Sequence, residues 1–290
     1  MLRGHRSAFV VLSALTVAAT AKIQLRPCRT PTACFSTPNN AGLKSVLLQR
    51  FTLDKLTKDD IQEATELFGN AFPLKDIHSW GRALGLKGGI SNFMAGYLPT
   101  HVNNVDLGCL AARDAQNKKR LLGALILEPF PSPIDESKPK GEEVEGAEED
   151  EAATIDANTL FAYQAIDGIL IECKNIFRQE FRIKHDTINP ELYNLDSKCG
   201  YVAWIAVDES VHGMGLAGEL VRTGSDIMRN SGCRFAIAFT VNPRATFVFE
   251  KEGYERWGYI AYKDYELDGK KPFSALPDEV SIMVCDLSKR

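Results

Sequence analysis

The sequence predicts an α/β fold in which helices cover both faces of a mixed β-sheet. Two observations lead to this prediction. Short apolar segments rich in β-branched and aromatic residues alternate, over residues 45–290, with longer segments whose apolar residues recur every three or four positions. One strand-like segment, residues 201–207, passes through a glycine-containing turn directly into such a helical segment. With 290 residues, 44% of them hydrophobic, the chain is long enough for one or two domains with a full-sized core.

The first 44 residues are predicted to be targeting segments that precede the fold. Residues 1–21 have the pattern of a signal peptide, because an uncharged stretch follows two arginines and ends in the small residues Ala-Thr-Ala. Residues 22–44 are basic and free of acids, which is typical of a transit peptide or a disordered leader. A signal peptide followed by a transit peptide directs proteins to plastids bounded by extra membranes. The alternative is a secreted protein with a disordered tail.

The composition excludes several classes of partner. The uncharged stretch of residues 7–21 is shorter than the roughly 18–20 residues of a membrane span, so no membrane association is expected once the leader is removed. Outside the leader and one acidic segment the chain is close to neutral, which provides no basic face for nucleic acid. The five cysteines beyond the leader are scattered and include no CxxC pair. We therefore expect no disulfide framework and no metal, and free thiols favour a reducing plastid stroma over the extracellular space.

The N-terminal half is predicted to contain a strand, two helices, a hairpin and a long helix. Thr57 is a candidate N-cap for the first helix, since apolar residues at helical spacing follow it. The second helical segment is weaker, because the sequence GLKGG interrupts it. The predicted bounds are 45–53 for the strand, 58–72 and 77–97 for the helices, 105–114 and 120–130 for the hairpin strands, and 159–184 for the long helix.

A proline-punctuated segment, residues 131–158, separates the hairpin from the long helix. It contains ten acids against two lysines, a net charge of −8, and few aliphatic residues. Such a segment cannot bury enough apolar surface to offset the entropy cost of ordering it. We predict that residues 45–290 form a single domain and that residues 131–158 are a disordered acidic insertion within it.

The C-terminal third is predicted to alternate strands and helices. Their bounds are 201–207, 233–241, 254–262 and 279–287 for the strands, and 214–231 and 243–252 for the helices. The turn VDESVHGMGLAGELV has two interpretations: glycine supplies backbone angles that other residues resist, or exposed N–H groups hold an anion at the helix N-terminus. A nucleotide-binding loop is a weaker interpretation, because the turn lacks the Gly-Lys-Ser/Thr of a phosphate loop and the spacing of a dinucleotide fingerprint.

This turn resembles the central signature of the GCN5-related N-acetyltransferase (GNAT) superfamily. That signature is Arg or Gln, two residues, Gly, one residue, then Gly or Ala. The similar segment of this chain consists of His212, Gly213, Met214, Gly215, Leu216 and Ala217. It begins five residues beyond Val207, where the superfamily ends the preceding strand.

A second signature of the superfamily, an Asn before a short helix that ends in an aromatic residue and Gly-Tyr, is similar to VNPRATFVFEKEGY. Asn242, Phe249 and Gly253-Tyr254 fall at the expected spacing. The resemblance covers roughly residues 45–290. It implies a central mixed, mostly antiparallel sheet that is flanked by helices on both faces.

The resemblance implies acetyl-CoA as the co-substrate. Coenzyme A presents a pyrophosphate, and backbone N–H groups around two glycines can approach it because glycine has no Cβ. In the superfamily the strand before the loop separates from its neighbour, so that its backbone pairs with the pantetheine arm and polarises the thioester carbonyl. The cofactor-binding residues implied for this chain are Ile205, Ala206, Val207, His212, Gly213, Met214, Gly215, Leu216, Ala217 and Asn242.

Two positions depart from the superfamily pattern. His212 replaces the usual Arg or Gln, and Phe249 replaces the tyrosine with which many members protonate the leaving thiolate. Solvent or a nearby tyrosine would have to supply that proton, and the candidates are Tyr254, which is closest in sequence, Tyr259 and Tyr262. Direct attack by an unprotonated amine requires no protein nucleophile, so neither a catalytic cysteine nor a Ser-His-Asp triad is expected.

The segment IAYKDYELDGKKPF and the strand after it are similar to the C-terminal region of insect-type arylalkylamine N-acetyltransferases. Those enzymes use as base a glutamate just before Pro-Leu, where this chain has Phe72. Candidates for a base that acts through water are Asp76 and His78, which lie just beyond, and Asp208 and Glu209. Three aromatic residues of the second helical segment line an amine pocket or, as their helical spacing favours, pack in the core: Trp80, Phe93 and Tyr97.

The sequence therefore predicts an acetyl-CoA-dependent N-acetyltransferase that moves the acetyl group directly to a primary amine. The similarity at the C-terminal end slightly favours a small amine over a protein lysine or N-terminus as the acceptor. The alternative is a degenerate relative that binds acetyl-CoA as a sensor or interaction module with little turnover, a reading based on Phe249 and Phe72.

Overall fold

The structure, a computed structural model, describes residues 50–71, 80–86, 90–104, 107–117, 120–130, 157–184 and 199–290. The predicted signal peptide, the predicted leader and residues 131–156 of the predicted acidic insertion lie outside these ranges, so their assignments stay predictions. Among the helices within these ranges, none combines the length and the apolar character that crossing a membrane requires.

The strands of the described residues form one sheet of seven. They are β1 (Phe51–Lys55), β2 (Cys109–Asp114), β3 (Leu121–Pro129), β4 (Cys199–Val207), β5 (Phe235–Thr240), β6 (Glu255–Ala261) and β7 (Glu279–Asp286). Their order across the sheet is β1-β2-β3-β4-β5-β7-β6. Neighbouring strands are antiparallel, except that β4 and β5 run parallel. The predicted mixed, mostly antiparallel sheet is confirmed.

Helices cover both faces of this sheet. They are α1 (Ile61–Ala71), α2 (Trp80–Ala83), α3 (Ser91–Asn104), α4 (Ala157–Lys184), α5 (Leu216–Asn230) and α6 (Pro243–Lys251). On one face α5 and α6 pack against alternate residues of the strands, among them Leu125 and Leu127 of β3. On the other face α1 and α3 pack against the intervening residues, among them Ala124 and Ile126. The long helix α4 covers the rest of that face, next to β6 and β7.

The first helix begins where the sequence predicts. Thr57 is the N-cap of a short 3-10 turn that leads into α1. The Asp60 carboxylate accepts hydrogen bonds from the Thr57 N–H at 2.7 Å and from the Thr57 hydroxyl at 2.8 Å. Arg113 of β2 donates to the same Asp60 oxygen at 2.7 Å. The cap therefore joins the start of α1 to the sheet.

The first strand is displaced from its predicted position. The sequence predicts it at 45–53, whereas β1 runs from Phe51 to Lys55 and Arg50 is helical. Pairing with β2 accounts for the shift, because Phe51 is opposite Asp114 and Lys55 is opposite Leu110. The extent of β2 thus determines which residues of this apolar run become the strand.

Two helices are longer than predicted. The helix predicted to stop at residue 97 continues as α3 to Asn104, through Pro99. An internal proline costs a helix about 3 kcal/mol. Here Leu98 and Val102, on either side of Pro99, are buried in the core, and this burial favours continuation. Helix α4 begins at Ala157, so the last two residues of the predicted insertion are helical.

Candidate active site

The parallel strands β4 and β5 separate towards their carboxyl ends. Their pairing begins with Cys199 opposite Phe235 and stops with Val202 opposite Ala238. Strand β4 nevertheless continues to Val207, and over this stretch it stays paired with β3 on its other side. The β5-facing backbone of residues 203–207 therefore borders an opening in which an extended ligand could pair with it.

A β-bulge lies where the two strands separate. Ile126 of β3 faces Trp204 and the next residue, Leu127, faces Val202, so Ala203 is the extra residue of β4. The bulge interrupts the alternation of β4, because Ala203 and Trp204 both pack on the face that carries α1 and α3. It thereby turns the Trp204 ring towards that face, next to the opening.

The glycine loop at the end of β4 leads into the N-terminus of α5. Gly213 and Gly215 have φ values of 76° and 85°, which residues with a Cβ resist. Gly215 is the N-cap, and the first intrahelical bond runs from the Glu219 N–H to its carbonyl. Because a glycine cap has no side chain, the N–H groups of the first turn are left to a ligand or to water. Together with the helix dipole they suit a phosphate group.

The other predicted residues of this loop have different environments. The Met214 N–H donates to the Val211 carbonyl at 3.3 Å, so this amide is already used within the loop. The Leu216 side chain is buried in the core beneath α5, and Ala217 is half-buried. Ile205 and Val207 direct their side chains to the α5 face. Leu216, Ile205 and Val207 can therefore serve a ligand only through their backbone.

His212 reaches back from the loop to β4. Its Nε2 lies 3.0 Å from the Val207 carbonyl oxygen, and since a carbonyl only accepts, Nε2 carries the hydrogen. Asp208, next in the chain after β4, accepts hydrogen bonds from the Ser210 hydroxyl and N–H and from Arg120. The Ser210 bonds hold the pKa of Asp208 below its usual range. This carboxylate therefore stabilises the turn between strand and loop.

Asn242 is the N-cap of α6, which follows the other separating strand. Its Oδ1 accepts from the Ala245 N–H at 2.9 Å, and Pro243 occupies the first helical position, where a missing N–H costs nothing. The Asn242 carbonyl accepts from the N–H and hydroxyl of Thr246. The two signature segments thus follow β4 and β5, one at each side of the opening.

Phe249 and Tyr254 lie together in the core on the α5 face. Phe249 is 2% exposed and packs edge-on against the Tyr254 ring, with 4.9 Å between ring centroids. The Ser225 hydroxyl donates to the Val221 carbonyl, so the Tyr254 hydroxyl, 2.9 Å from Ser225 Oγ, is the donor of that pair. Burial raises the pKa of Tyr254 above its usual range. The structure thus gives Tyr254 a packing role, and its role as an acid stays a prediction.

Aromatic side chains gather beside the bulge on the opposite face. Trp204 packs on Phe93 and Tyr97 of α3, with ring centroids 5.6 and 6.1 Å apart. Phe93 also contacts Tyr163 of α4, at 5.8 Å. We call these four residues the aromatic group. A small apolar cavity next to it is lined by Leu86, Ile90, Phe93, Tyr163, Ile166 and Trp204.

Trp80, the third aromatic residue considered for an amine pocket, packs in the core. It is 3% exposed, and its indole N–H donates to the Tyr262 hydroxyl at 2.7 Å. Tyr262 in turn donates to the Val241 carbonyl at 2.8 Å, just beyond β5. Phe93 and Tyr97 therefore join the candidate acceptor side, whereas Trp80 belongs to the interior beneath α4.

Glu128 of β3 contacts the aromatic group. Its Oε1 accepts a hydrogen bond from the Tyr97 hydroxyl and lies 3.2 Å from Nε2 of His101. Tyr97 and His101 are one turn apart on α3, and their rings stack at 3.7 Å. Burial and the nearby charge of Glu128 raise the pKa of Tyr97, so this phenol stays a hydrogen-bond donor. The Glu128 side chain is 22% exposed and therefore accessible to a small ligand.

Sequence reasoning does not identify Glu128, Trp204 or Tyr163 as site residues. A signal for Glu128 exists in the strand LLGALILEP, where its position alternates with the buried Ala124 and Ile126. Period-two spacing therefore directs this carboxylate inward. No comparable signal exists for Trp204, because its direction depends on the bulge at Ala203.

Three predicted positions lie outside the described residues. They are Phe72, Asp76 and His78, so a base at Asp76 or His78 stays a prediction. Within the described ranges, no group of three His, Cys, Asp or Glu side chains is placed to hold a metal ion. The cysteines of these ranges are free thiols, of which Cys233 is partly exposed.

Residues 124–254 match the acetyltransferase (GNAT) family. The matched region extends from β3 to the Gly-Tyr pair after α6, and so contains the opening, the bulge, the glycine loop and both signature segments. The resemblance inferred from the sequence is thus confirmed over residues 124–254.

Solved structures with the same fold include three amine-related proteins. Arylalkylamine N-acetyltransferase 2 from Aedes aegypti is 16% identical, with 82% of this chain and 99% of that chain covered and a TM-score of 0.57. The C-terminal condensation domain of Ebony, in complex with β-alanyl-dopamine, is 12% identical, with 82% of this chain and 99% of that chain covered and a TM-score of 0.59. The Drosophila melanogaster polyamine N-acetyltransferase, which forms N-acetylagmatine, is 12% identical, with 81% of this chain and 99% of that chain covered and a TM-score of 0.51. At these identities the likeness shows the fold. The family match beside it supports the predicted class, an acetyl-CoA-dependent N-acetyltransferase.

Proposed function

We propose that this chain, whose residues 124–254 match the GNAT family, transfers the acetyl group of acetyl-CoA directly to the primary amine of a small molecule. The observation that carries the proposal is the separation of β4 from β5 beyond Val202, together with the glycine-capped helix N-terminus that follows β4. The opening offers backbone hydrogen bonds to an extended pantetheine arm, and the helix N-terminus offers N–H groups to a pyrophosphate. A single extended ligand such as acetyl-CoA would use both features, because the helix N-terminus follows the same strand that borders the opening.

This geometry allows the amine to attack acetyl-CoA directly, without a protein nucleophile. The unprotonated amine nitrogen attacks the acetyl carbonyl carbon, and a backbone N–H of residues 205–207 donates to the oxyanion that develops. The C–S bond then breaks, and the thiolate of coenzyme A takes up a proton. Phe249 cannot supply that proton, since it has no ionisable group and is buried. A thiolate is a fair leaving group near neutral pH, so a proton from water suffices.

Two features support a small amine as the acceptor. Two of the solved structures with this fold are named for the acetylation of small amines. The aromatic side chains Trp204, Phe93 and Tyr97 beside the opening offer apolar contacts that suit the body of a small aromatic or aliphatic amine. A protein lysine or N-terminus is the second candidate acceptor.

An amine panel tests this proposal. The full chain is incubated with acetyl-CoA and, separately, 2-phenylethylamine, agmatine, spermidine or a lysine-containing peptide. Thiol release is followed, and N-acetyl products are identified by mass spectrometry. We expect release that depends on a small amine, and release confined to the peptide would contradict the proposal. Binding of acetyl-CoA without transfer to any amine would favour the alternative function, an acetyl-CoA sensor, which the buried Phe249 supports.

We also propose import into a plastid with extra membranes, on the basis of the leader sequence. A fluorescent protein fused behind residues 1–44 should accumulate in the plastid of a cell that has such an organelle. The same fusion without residues 22–44 should follow the secretory route. Secretion of the first fusion would contradict the proposal.

A further inference from the structure

We propose that Glu128 binds the ammonium group of the acceptor and takes up the proton that this group loses before acyl transfer. The inference rests on the proposed function and assigns a residue to the base role that the sequence leaves open. Tyr97 is a positioning residue in this arrangement, because it holds the carboxylate without contacting the reacting atoms.

Glu128 lies close to the place where the acetyl group would be held. It faces Tyr201 in the β3–β4 pair, two positions from the bulge at Ala203. Strand β4 leaves β5 beyond Val202, so the opening begins at the neighbouring strand position. The Tyr97 contact shows that the carboxylate is on the face of the sheet that carries the aromatic group. An amine whose apolar body lies against these rings would bring its nitrogen to both Glu128 and the opening.

One oxygen of Glu128 is available for an ammonium group. Tyr97 and His101 both contact Oε1. Within the part of the chain that the structure describes, Oε2 has no hydrogen-bond donor. A carboxylate only accepts hydrogen bonds, and a charge-assisted bond to an ammonium is roughly twice as strong as a neutral one.

His101 also holds this carboxylate. Its Nε2 faces Glu128, and its Nδ1 lies 2.9 Å from the Tyr97 carbonyl oxygen. Because a carboxylate only accepts, Nε2 is the donor in this contact and cannot also take a proton from Glu128. His101 is therefore a second positioning residue for the carboxylate, and Glu128, whose side chain is 22% exposed, releases the proton to water directly.

The step balances in atoms and charge. The proton passes from the acceptor nitrogen to Glu128 and then to water. The nitrogen lone pair freed in this way forms the C–N bond. The C–S bond breaks, and its electron pair leaves on the sulfur, which is protonated by water.

Other titratable groups also face Glu128. Tyr201 of β4, Cys109 of β2 and Lys174 of α4 interact with it electrostatically. Burial raises the pKa of Tyr201, and it raises that of Cys109 to about 11, so both are neutral near pH 7. Burial lowers the pKa of Lys174, and the charge of Glu128 opposes this effect. Among these three groups, Lys174 is the cation that could compete with the acceptor.

The first test compares Glu128→Gln with Glu266→Gln in the full chain. Glutamine keeps the shape of the side chain and removes its charge, and Glu266 is an exposed carboxylate outside the site. For Glu128→Gln we expect kcat/KM for 2-phenylethylamine to fall about 10²- to 10⁴-fold, the range of a lost general base. The Kd for acetyl-CoA should stay within about twofold of that of the unmodified chain, since the change is on the acceptor side. A kcat/KM for the amine equal to that of the Glu266 control overturns the inference.

Amine binding separates the failure of this inference from the failure of the proposed function. Calorimetry with 2-phenylethylamine and agmatine, in the presence of coenzyme A, reports the ammonium site without turnover. Binding that Glu128→Gln loses and Glu266→Gln keeps supports the inference even if no acetyl is transferred. Equal binding by Glu128→Gln and the unmodified chain, or no binding by the latter, overturns it. Thermal melts of each variant establish that it is folded.

His101→Ala and His101→Gln test the positioning role of His101. The amide of glutamine can donate to Glu128 as Nε2 does, so His101→Gln should keep more of the kcat/KM for the amine than His101→Ala. Equal losses in the two variants overturn this role.

Discussion

The Nε2 of His212 donates a hydrogen bond across 3.0 Å to the carbonyl oxygen of Val207, the last residue of β4. The glycine loop is thus fastened to the strand that it follows. Two loop glycines have left-handed backbone angles, and this bond restricts the segment in addition to the Ser210 and Arg120 contacts of Asp208. The position of this loop matters because it places the N-terminus of α5 at the phosphate-binding side of the proposed site.

Removing this bond should weaken the binding of acetyl-CoA. We expect His212→Ala to raise the Kd for acetyl-CoA about 2- to 10-fold, because one hydrogen bond contributes roughly 0.5–1.5 kcal/mol. His212→Gln is the matched variant, since its amide can donate to the same carbonyl, and should lose less. Calorimetric titration measures both. An unchanged Kd for His212→Ala would show that the contact does not help to hold the loop.

Glycine at position 213 should matter for the ligand as well as for the backbone. Gly213→Ala and Gly232→Ala both place a Cβ at a left-handed φ, 76° and 88°, with no heavy atom within 4 Å of that Cβ. Each should lower the free energy of unfolding by roughly 1–2 kcal/mol. Gly232 lies beyond the carboxyl end of α5, away from the proposed site. Only Gly213→Ala should therefore also raise the Kd for acetyl-CoA. Equal effects of the two variants on its Kd would contradict the assignment of the loop.

The Tyr254–Ser225 pair predicts a non-additive double mutant. In Ser225→Ala the Tyr254 hydroxyl is left buried without its acceptor, which costs roughly 1–3 kcal/mol. In Tyr254→Phe, Ser225 keeps its bond to Val221, so the loss should be smaller, about 0.5–1.5 kcal/mol. The double variant should lose less stability than the sum of the two, as measured by urea unfolding. Additive losses would contradict the hydrogen bond. The kcat of Tyr254→Phe also tests the predicted acid.

Asp60 should make the fold sensitive to acid. Burial raises the pKa of this carboxyl, but the hydrogen bonds from Arg113 and Thr57 outweigh burial, so its pKa lies below the ordinary 3.8. A group whose pKa is lower in the folded state contributes stability above the unfolded value, and this contribution is lost as the pH falls through the folded value. Unfolding measured below about pH 4 should therefore be steeper in pH for the unmodified chain than for Asp60→Asn. Identical slopes would contradict the role of Asp60.

Local sequence predicts much of this fold, because turn chemistry and periodicity act over a few residues. Thr57 is followed at the right distance by Asp60, and the structure confirms the cap. The strand, glycine turn and helix over residues 199–230 are likewise confirmed, with bounds close to those predicted.

The functional geometry depends on contacts that the local sequence does not report. The bulge at Ala203 arises from the register between β3 and β4, which are far apart in the chain. The role proposed for Glu128 depends on its contacts with Tyr97 and His101, which lie on α3 and not on the same strand. The course of α3 through Pro99 is also decided by burial rather than by helix propensity. These features require the packed fold.

Binding of acetyl-CoA is the most direct test of the central claim that the opening between β4 and β5 and the glycine loop form an acetyl-CoA site. The full chain and its Gly215→Trp variant are titrated with acetyl-CoA by calorimetry. In Gly215→Trp a bulky side chain stands at the N-cap of α5, where φ is 85°. We predict a Kd of about 1 μM to 1 mM for the unmodified chain, the range usual for enzyme substrates, and no measurable binding by a folded Gly215→Trp. No binding by the unmodified chain would contradict the claim, and the two glycines would then serve only the geometry of the turn.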